Sequence, residues 1–260
     1  MNNNILCLLW CCSFVAATDC FSQESVTART VFPAGISARA AVGYLATRDE
    51  HISDEKYAGR VSGFALLWSR FHETYGFHMG LTYEKASDIT NHNVSAGVTQ
   101  GAFIFEDLYP LGTGDLSGTE FFLYLGPSAE AFLYYRKQMI AQNTDASPDV
   151  YESGAWLFSL GAALEMILPL GGGFQAEGSL QTGLLSLGGG TGNDSGSPTA
   201  LTLLTPFSGL HGAAGIGVRY YPLECLSLAA GYRLEVTRID SWNFILTSSD
   251  NAFVSLGFHF

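Results

Sequence analysis

The chain has 260 residues, 47% of them hydrophobic and only 14% charged, with 30 glycines and 13% aromatics. A soluble domain usually carries nearer a quarter charged residues, and a helical membrane protein needs apolar runs of roughly 18 residues or more; past the N-terminus, polar residues or glycines break every apolar stretch. A net charge of −12 excludes the basic footprint that non-specific nucleic-acid binding requires.

The first residues, MNNNILCLLWCCSFVAATDCFSQ, hold an apolar core from Ile5 to Ala17. That core is short for a membrane span and ends in small residues, as an export signal does. The segment 1–22 reads as the signal, with Cys20 and Ser22 before the cut; cleavage after residue 17, behind Val15 and Ala17, is the alternative. No lysine or arginine precedes the core, a departure from the usual signal. An acylated Cys20 fits less well, because Asp19 stands where a small residue is expected. Cys7, Cys11 and Cys12 lie in the signal. Cys225 then stands alone or with one partner, so the five cysteines form neither a disulfide framework nor a metal spacing. Residues 23–260 read as a single domain.

Within it, period-two patterns recur. In ISARAAVGYLAT, Ile36, Ala38, Ala40, Val42 and Tyr44 share one side, and Ser37, Arg39, Ala41 and Gly43 the other. In YGFHMGLTYE, Tyr75, Phe77, Met79, Leu81 and Tyr83 oppose Gly76, His78, Gly80, Thr82 and Glu84. GRVSGFALLWSRF and NVSAGVTQGAFIF are strand candidates whose faces cannot be told apart. EFFLYLGPSAEAFLYY, WLFSLGAALEM and FQAEGSLQTGL follow, then HGAAGIGVRYY, LSLAAGYRLEV and NAFVSLGFHF. High apolar content shown only at every second residue, with aromatics at the stripe ends, is the pattern of a lipid-facing barrel. A soluble β-sandwich also alternates, but its solvent face would carry many more lysines and glutamates. The expectation is an all-β, closed, antiparallel, up-and-down transmembrane barrel of about ten strands, with eight as the alternative.

Connections alternate in length. TRDEHISDEK, KASDITNHN, KQMIAQNTDASPDVYESG, the segment around GGGTGNDSGSPTALTLLTP, and RIDSWNFILTSSDN read as long extracellular loops. HET, LPLGGG and YPLE read as short periplasmic turns, with EDLYPLGTGDLSG longer than the others. The lysines Lys56, Lys85 and Lys137 all fall in or beside the outer loops.

The signal-like core, the strand series and the last strand together resemble the bacterial outer-membrane β-barrel superfamily, with the small OmpA-like and OmpW-like barrels nearest in size. Ala252, Val254, Leu256, Phe258 and Phe260 form the apolar row of that last strand. The resemblance implies an outer-membrane location with extracellular loops, a lipid partner, and recognition of this row by the barrel assembly machinery.

Catalytic constellations are weak. Asp49, Glu50, His51, Asp54 and Glu55 supply the residue types of a rim protease but read as a solvated loop. Ser208 and His211 lack an evident third member for a hydrolase, and His51 and His92 are two unaligned candidate metal ligands. The chain therefore reads as a non-enzyme without a cofactor or a metal. The inward charges say more, since a lipid-facing arginine at mid-depth costs about 2–4 kcal/mol. Arg39, Glu165, Glu177 and Arg219 are placed inward near the periplasmic end, and Glu130, Arg233 and Glu235 nearer the outer end. They form either a selectivity path or a paired network filling a narrow lumen. The function expected is a small passive channel for small solutes. The alternatives are a surface barrel that binds a host-surface ligand through its loops, where Leu201, Leu203, Leu204, Trp242, Phe244 and Ile245 offer apolar contacts, or a structural barrel.

Overall fold

The structure is a computed structural model and describes residues 34–49, 53–72, 75–91, 94–116, 119–140, 149–194, 197–201, 209–240 and 244–260. The segment read as a signal, and Glu50, His51, His92, Leu203, Leu204, Ser208 and Trp242, lie outside them. The strands are β1 (Gly35–Asp49), β2 (Ser53–His72), β3 (Tyr75–Asn91), β4 (Val94–Leu116), β5 (Thr119–Ile140) and β6 (Asp149–Gly171). They continue with β7 (Phe174–Asp194), β8 (Ser197–Leu201), β9 (Gly209–Leu223), β10 (Leu226–Ile239) and β11 (Ile245–His259).

Each strand pairs antiparallel with its sequence neighbour, except that β8 pairs with β7 alone and leaves β7 to meet β9 directly. β1 pairs with β11 from Gly35↔His259 to Asp49↔Ile245 and closes the sheet. The eleven strands of the sheet less β8 leave a closed wall of ten. Closure leaves no lateral edge to be satisfied within lipid. At the β6–β7 turn Gly171, Gly172 and Gly173 hold φ of 82°, 61° and 80°, a run of left-handed backbone open to glycine without strain.

The wall obeys the alternation. On β1, Ile36, Ala38, Ala40, Val42 and Tyr44 face outward, and on β11 Ala252, Val254, Leu256, Phe258 and Phe260 do the same. Outward aromatics form two girdles. Tyr44, Tyr83, Tyr135 and Tyr232 mark the upper one; Trp68, Tyr75, Phe174, Tyr220 and Phe258 mark the lower. On β3 the band between them runs from Tyr75 to Tyr83, ~27 Å of strand, which fits a lipid band crossed by tilted strands. The faces of β2 and β4 are now assigned. Phe64, Leu66 and Trp68 look outward while Val61, Ala65 and Leu67 look inward; Phe103 and Phe105 look outward while Val98, Ala102 and Ile104 look inward.

Much of what the sequence suggested as outer loop is strand. β1 and β2 take most of TRDEHISDEK, β3 runs through to Asn91, and β11 begins at Ile245. The reason lies inside the wall, where Leu45, Tyr57, Ile89, Ala96, Tyr134, Ala155, Leu157, Ile239 and Ile245 belong to one buried apolar cluster. Buried backbone beside such a cluster must be paired, so the ladders continue outward past the upper girdle. Ile245 is therefore a core residue and not a loop contact. Phe244 lies beside Arg48 and Arg238, at 5.6 and 5.1 Å from their guanidinium carbons. The periplasmic segment EDLYPLGTGDLSG is likewise strand as far as Leu116: it is the end of β4, paired from Tyr109 to Leu116 with the start of β5.

Candidate functional site

The barrel interior has three levels. The outermost holds the apolar cluster, to which β1 through β6, β10 and β11 all contribute. Polar groups pin it across the lumen. Thr47 Oγ1 and Tyr134 Oη share a hydrogen bond at 3.0 Å, Gln138 Nε2 donates to Tyr57 Oη at 3.3 Å, and Ser153 Oγ donates to Asp49. Arg136, fully buried, lays its guanidinium over the Tyr57 ring, 4.2 Å from the centroid. Asp49 is thus a structural tie from β1 to β6, not a member of an exposed acidic rim.

Below this lies a polar belt around a cavity of about 140 Å³. Arg39, Glu165, Glu177, Arg219, Arg233 and Glu235 line the cavity, and Glu130 is buried in the wall beside it. The belt is a set of local pairs. Arg219 donates from Nε to Glu177 Oε1 at 2.5 Å and from a terminal nitrogen to Oε2 at 3.0 Å, a two-point pair between β7 and β9. Its other terminal nitrogen reaches Ser227 Oγ at 3.2 Å, and His259 Nε2 lies 2.7 Å from the same hydroxyl. Arg233 Nε lies 3.3 Å from Glu235 Oε2 on its own strand. Arg39 makes no such pair with Glu165; its guanidinium carbon sits 3.7 Å from the centre of the Phe253 ring, where the π face attracts the cation.

Glu84, His78 and Glu106 were not singled out from the sequence, nor were the partners of Glu130 and His211. Glu84 accepts hydrogen bonds from Gln100 Nε2 at 2.6 Å and, from across the lumen, from Asn251 Nδ2 at 2.5 Å. Glu130 Oε2 lies 2.8 Å from His211 Nε2 and accepts from Gln181 Nε2 at 3.2 Å. His211 Nδ1 in turn meets Thr237 Oγ1 at 3.0 Å. A hydroxyl, an imidazole and a carboxylate in series is the order used by nucleophilic hydrolases. Here Thr237 and His211 are buried and neither lines the cavity, so the series ties β5, β7, β9 and β10 together without a path to a substrate. His78 and Glu106 are register partners on β3 and β4, with His78 Nδ1 3.3 Å from Glu106 Oε2. His78 and Glu84 were visible on the polar face of the β3 alternation; Glu106 was hidden because its segment reads as a link.

The innermost level is partly filled by a second apolar cluster of Leu108, Tyr124, Ala163 and Ile167 with Phe71 and Phe122. Phe71 meets Tyr124 edge-on at 5.3 Å. Cys225, in the β9–β10 turn, is disulfide-bonded.

A closed ten-stranded wall, an apolar belt between aromatic girdles and a polar interior define a transmembrane β-barrel, the fold of bacterial outer-membrane proteins. Among solved structures the chain is similar in fold to the outer membrane protease OmpT from Escherichia coli, with a TM-score of 0.51 and 9% identity over 91% of this chain and 99% of that one. The translocator domain of autotransporter NalP from Neisseria meningitidis aligns with a TM-score of 0.48 and 11% identity, over 99% of this chain and 97% of that one. Ail, the attachment invasion locus protein of Yersinia pestis, aligns at 0.30 and 8% identity, over 85% and 98%. No family model matches the chain, and no curated protein matches it.

Proposed function

We propose that this protein is a barrel with a shut lumen, acting through its extracellular rim as a surface interaction protein that binds a host-surface ligand. The observation that carries the reading is the apolar outer level. Leu45, Ile89, Tyr134, Leu157 and Ile239 come from different sectors of the wall and are buried together. Apolar side chains buried against one another across the lumen offer a hydrated solute no polar path. The strand extensions above the upper girdle then serve as a stiff platform for the outer connections. On this reading the lumen charges stabilise the wall and do not select ions, and the chain has no catalytic role. Its N-terminal segment acts as the export signal, and the Ala252–Phe260 row is read by the assembly machinery.

The cavity inside the barrel favours a second reading. It would serve as the inner vestibule of the small-solute channel expected from the sequence, provided the outer level moves. Planar-bilayer recording distinguishes the two. The wild type is expected to give no steady conductance, and the double variant Phe132→Ala, Leu157→Ala, which truncates two members of the outer apolar cluster, is expected to conduct. Steady conductance steps from the wild type at low voltage would overturn the shut-lumen reading and restore the channel.

A further inference from the structure

Most lumen carboxylates have a polar partner. Glu177 has Arg219, Glu235 has Arg233, Glu130 has His211 and Gln181, and Glu84 has Gln100 and Asn251. Glu106 and Glu165 are less well served: Glu106 meets the imidazole of His78 at 3.3 Å, and among the described residues Glu165 forms no ion pair. These two carboxylates stand close together in the lumen, with His78 beside them.

We propose that His78, Glu106 and Glu165 bind a divalent cation of the zinc type within the lumen. The donor atoms of the three side chains all lie within 4.8 Å of one another. Ligands on one zinc ion at tetrahedral geometry stand about 3.4 Å apart, so a modest rotation about the side-chain bonds closes the set. The second observation is on Glu106 itself. Its side chain is 5% exposed; its buried Oε2 makes no well-formed hydrogen bond beyond the 3.3 Å approach of His78 Nδ1, and His78 Nε2 is buried without a hydrogen-bond partner. One imidazole and two carboxylates suit a borderline metal such as zinc better than magnesium or calcium, which prefer an all-oxygen set. Each ligand has a serine as a register partner on a neighbouring strand: Ser69 beside His78, Ser128 beside Glu106 and Ser179 beside Glu165. Those small side chains leave room for a metal-bound water at the open position. All three ligands line the cavity, through which an ion can arrive. The other interior group of this type, Glu130, His211 and Glu235, is already compensated by Arg233.

The test uses the full barrel, folded in detergent and stripped with a chelator. Calorimetric titration with Zn²⁺ is expected to show one saturable site, with Mg²⁺ giving none, and the unfolding temperature is expected to rise with the logarithm of zinc concentration. His78→Ala and Glu106→Gln should each weaken zinc binding by roughly tenfold or more, while Glu84→Gln should leave it unchanged. Cobalt should give the visible spectrum of mixed nitrogen and oxygen coordination in the wild type and lose it in His78→Ala. If His78→Ala fails to fold, His78→Gln takes its place, with folding followed by heat-modifiable migration. Equal zinc affinity in wild type, His78→Ala and Glu106→Gln would overturn the proposal. So would a wild type indifferent to zinc alongside a Glu106→Gln variant stabilised without metal, since the two carboxylates would then be sharing a proton.

Discussion

Replacing Arg219 by alanine removes both hydrogen bonds to Glu177 and the one to Ser227. The carboxylate of Glu177 is left in the lumen with Gln175 Nε2, at 3.2 Å, as its remaining donor. Breaking one partner of a buried pair costs about 3–5 kcal/mol. The Glu177 side chain keeps 27% of its exposure and Arg219 12%, so cavity water reaches the orphaned group and the expected loss falls to ~2–3 kcal/mol. Glu177→Ala should cost a similar amount, because it strands the guanidinium. The double variant should cost less than the two singles together, with a coupling of about 1–3 kcal/mol. Urea unfolding of the barrel in lipid vesicles, read by tryptophan fluorescence and by migration of unboiled samples, measures all four corners of the cycle. A coupling below ~0.5 kcal/mol would mean that the pair does not act as a unit, and the two-point geometry would carry no weight in holding β7 to β9.

Other outcomes can be checked on the same preparation. Glu130→Gln should be tolerated better than His211→Ala, because the glutamine fills the same space without a charge while the alanine strands a buried carboxylate, at about 3–5 kcal/mol; the reverse order in urea unfolding would argue against the ion pair between Glu130 and His211. Deleting Phe260, which is 70% exposed at the end of the outward row, should lower the amount of barrel assembled in the outer membrane, whereas Ser255→Ala inside the lumen should not. Equal yields would remove the role given to the terminal row. Gly161→Ala should destabilise the β6–β7 ladder, since a Cβ there would stand 1.6 Å from the Thr182 carbonyl oxygen; an unchanged unfolding midpoint would show that the bulge at Leu160/Gly161 can relax.

The alternation of β1, β3 and β11 could be read directly because their inner faces near the periplasm are small or polar and their outer faces apolar. β2 and β4 resisted the same reading for a physical reason: Val61, Leu67, Val98, Ala102 and Ile104 are apolar and face inward, so both faces look alike. The outer apolar level escaped notice for a related reason. A strand that passes from lipid-facing wall to packed core changes what its inner positions require, and Ile89 and Ile245 then sit in polar segments that read as loop. Inward placement of the charged residues followed from the cost of facing lipid, but their partners did not. Glu177 meets Arg219 across a gap of 42 positions, and Glu84 meets Asn251 across 167; spacing along the chain holds no trace of either contact.

The outer level has a mechanical consequence. Leu45 and Ile245 stand on β1 and β11, the two strands that complete the cylinder, and both are buried in the apolar cluster that includes Tyr134 and Leu157 from β5 and β6. Thr47 and Asp49 on β1 reach those same two strands through Tyr134 and Ser153. Parting the seam sideways would therefore unpack the cluster as well as break a ladder. The pairing that closes the cylinder is thus latched by residues of the facing wall, and the barrel resists opening toward the bilayer most strongly at its outer end.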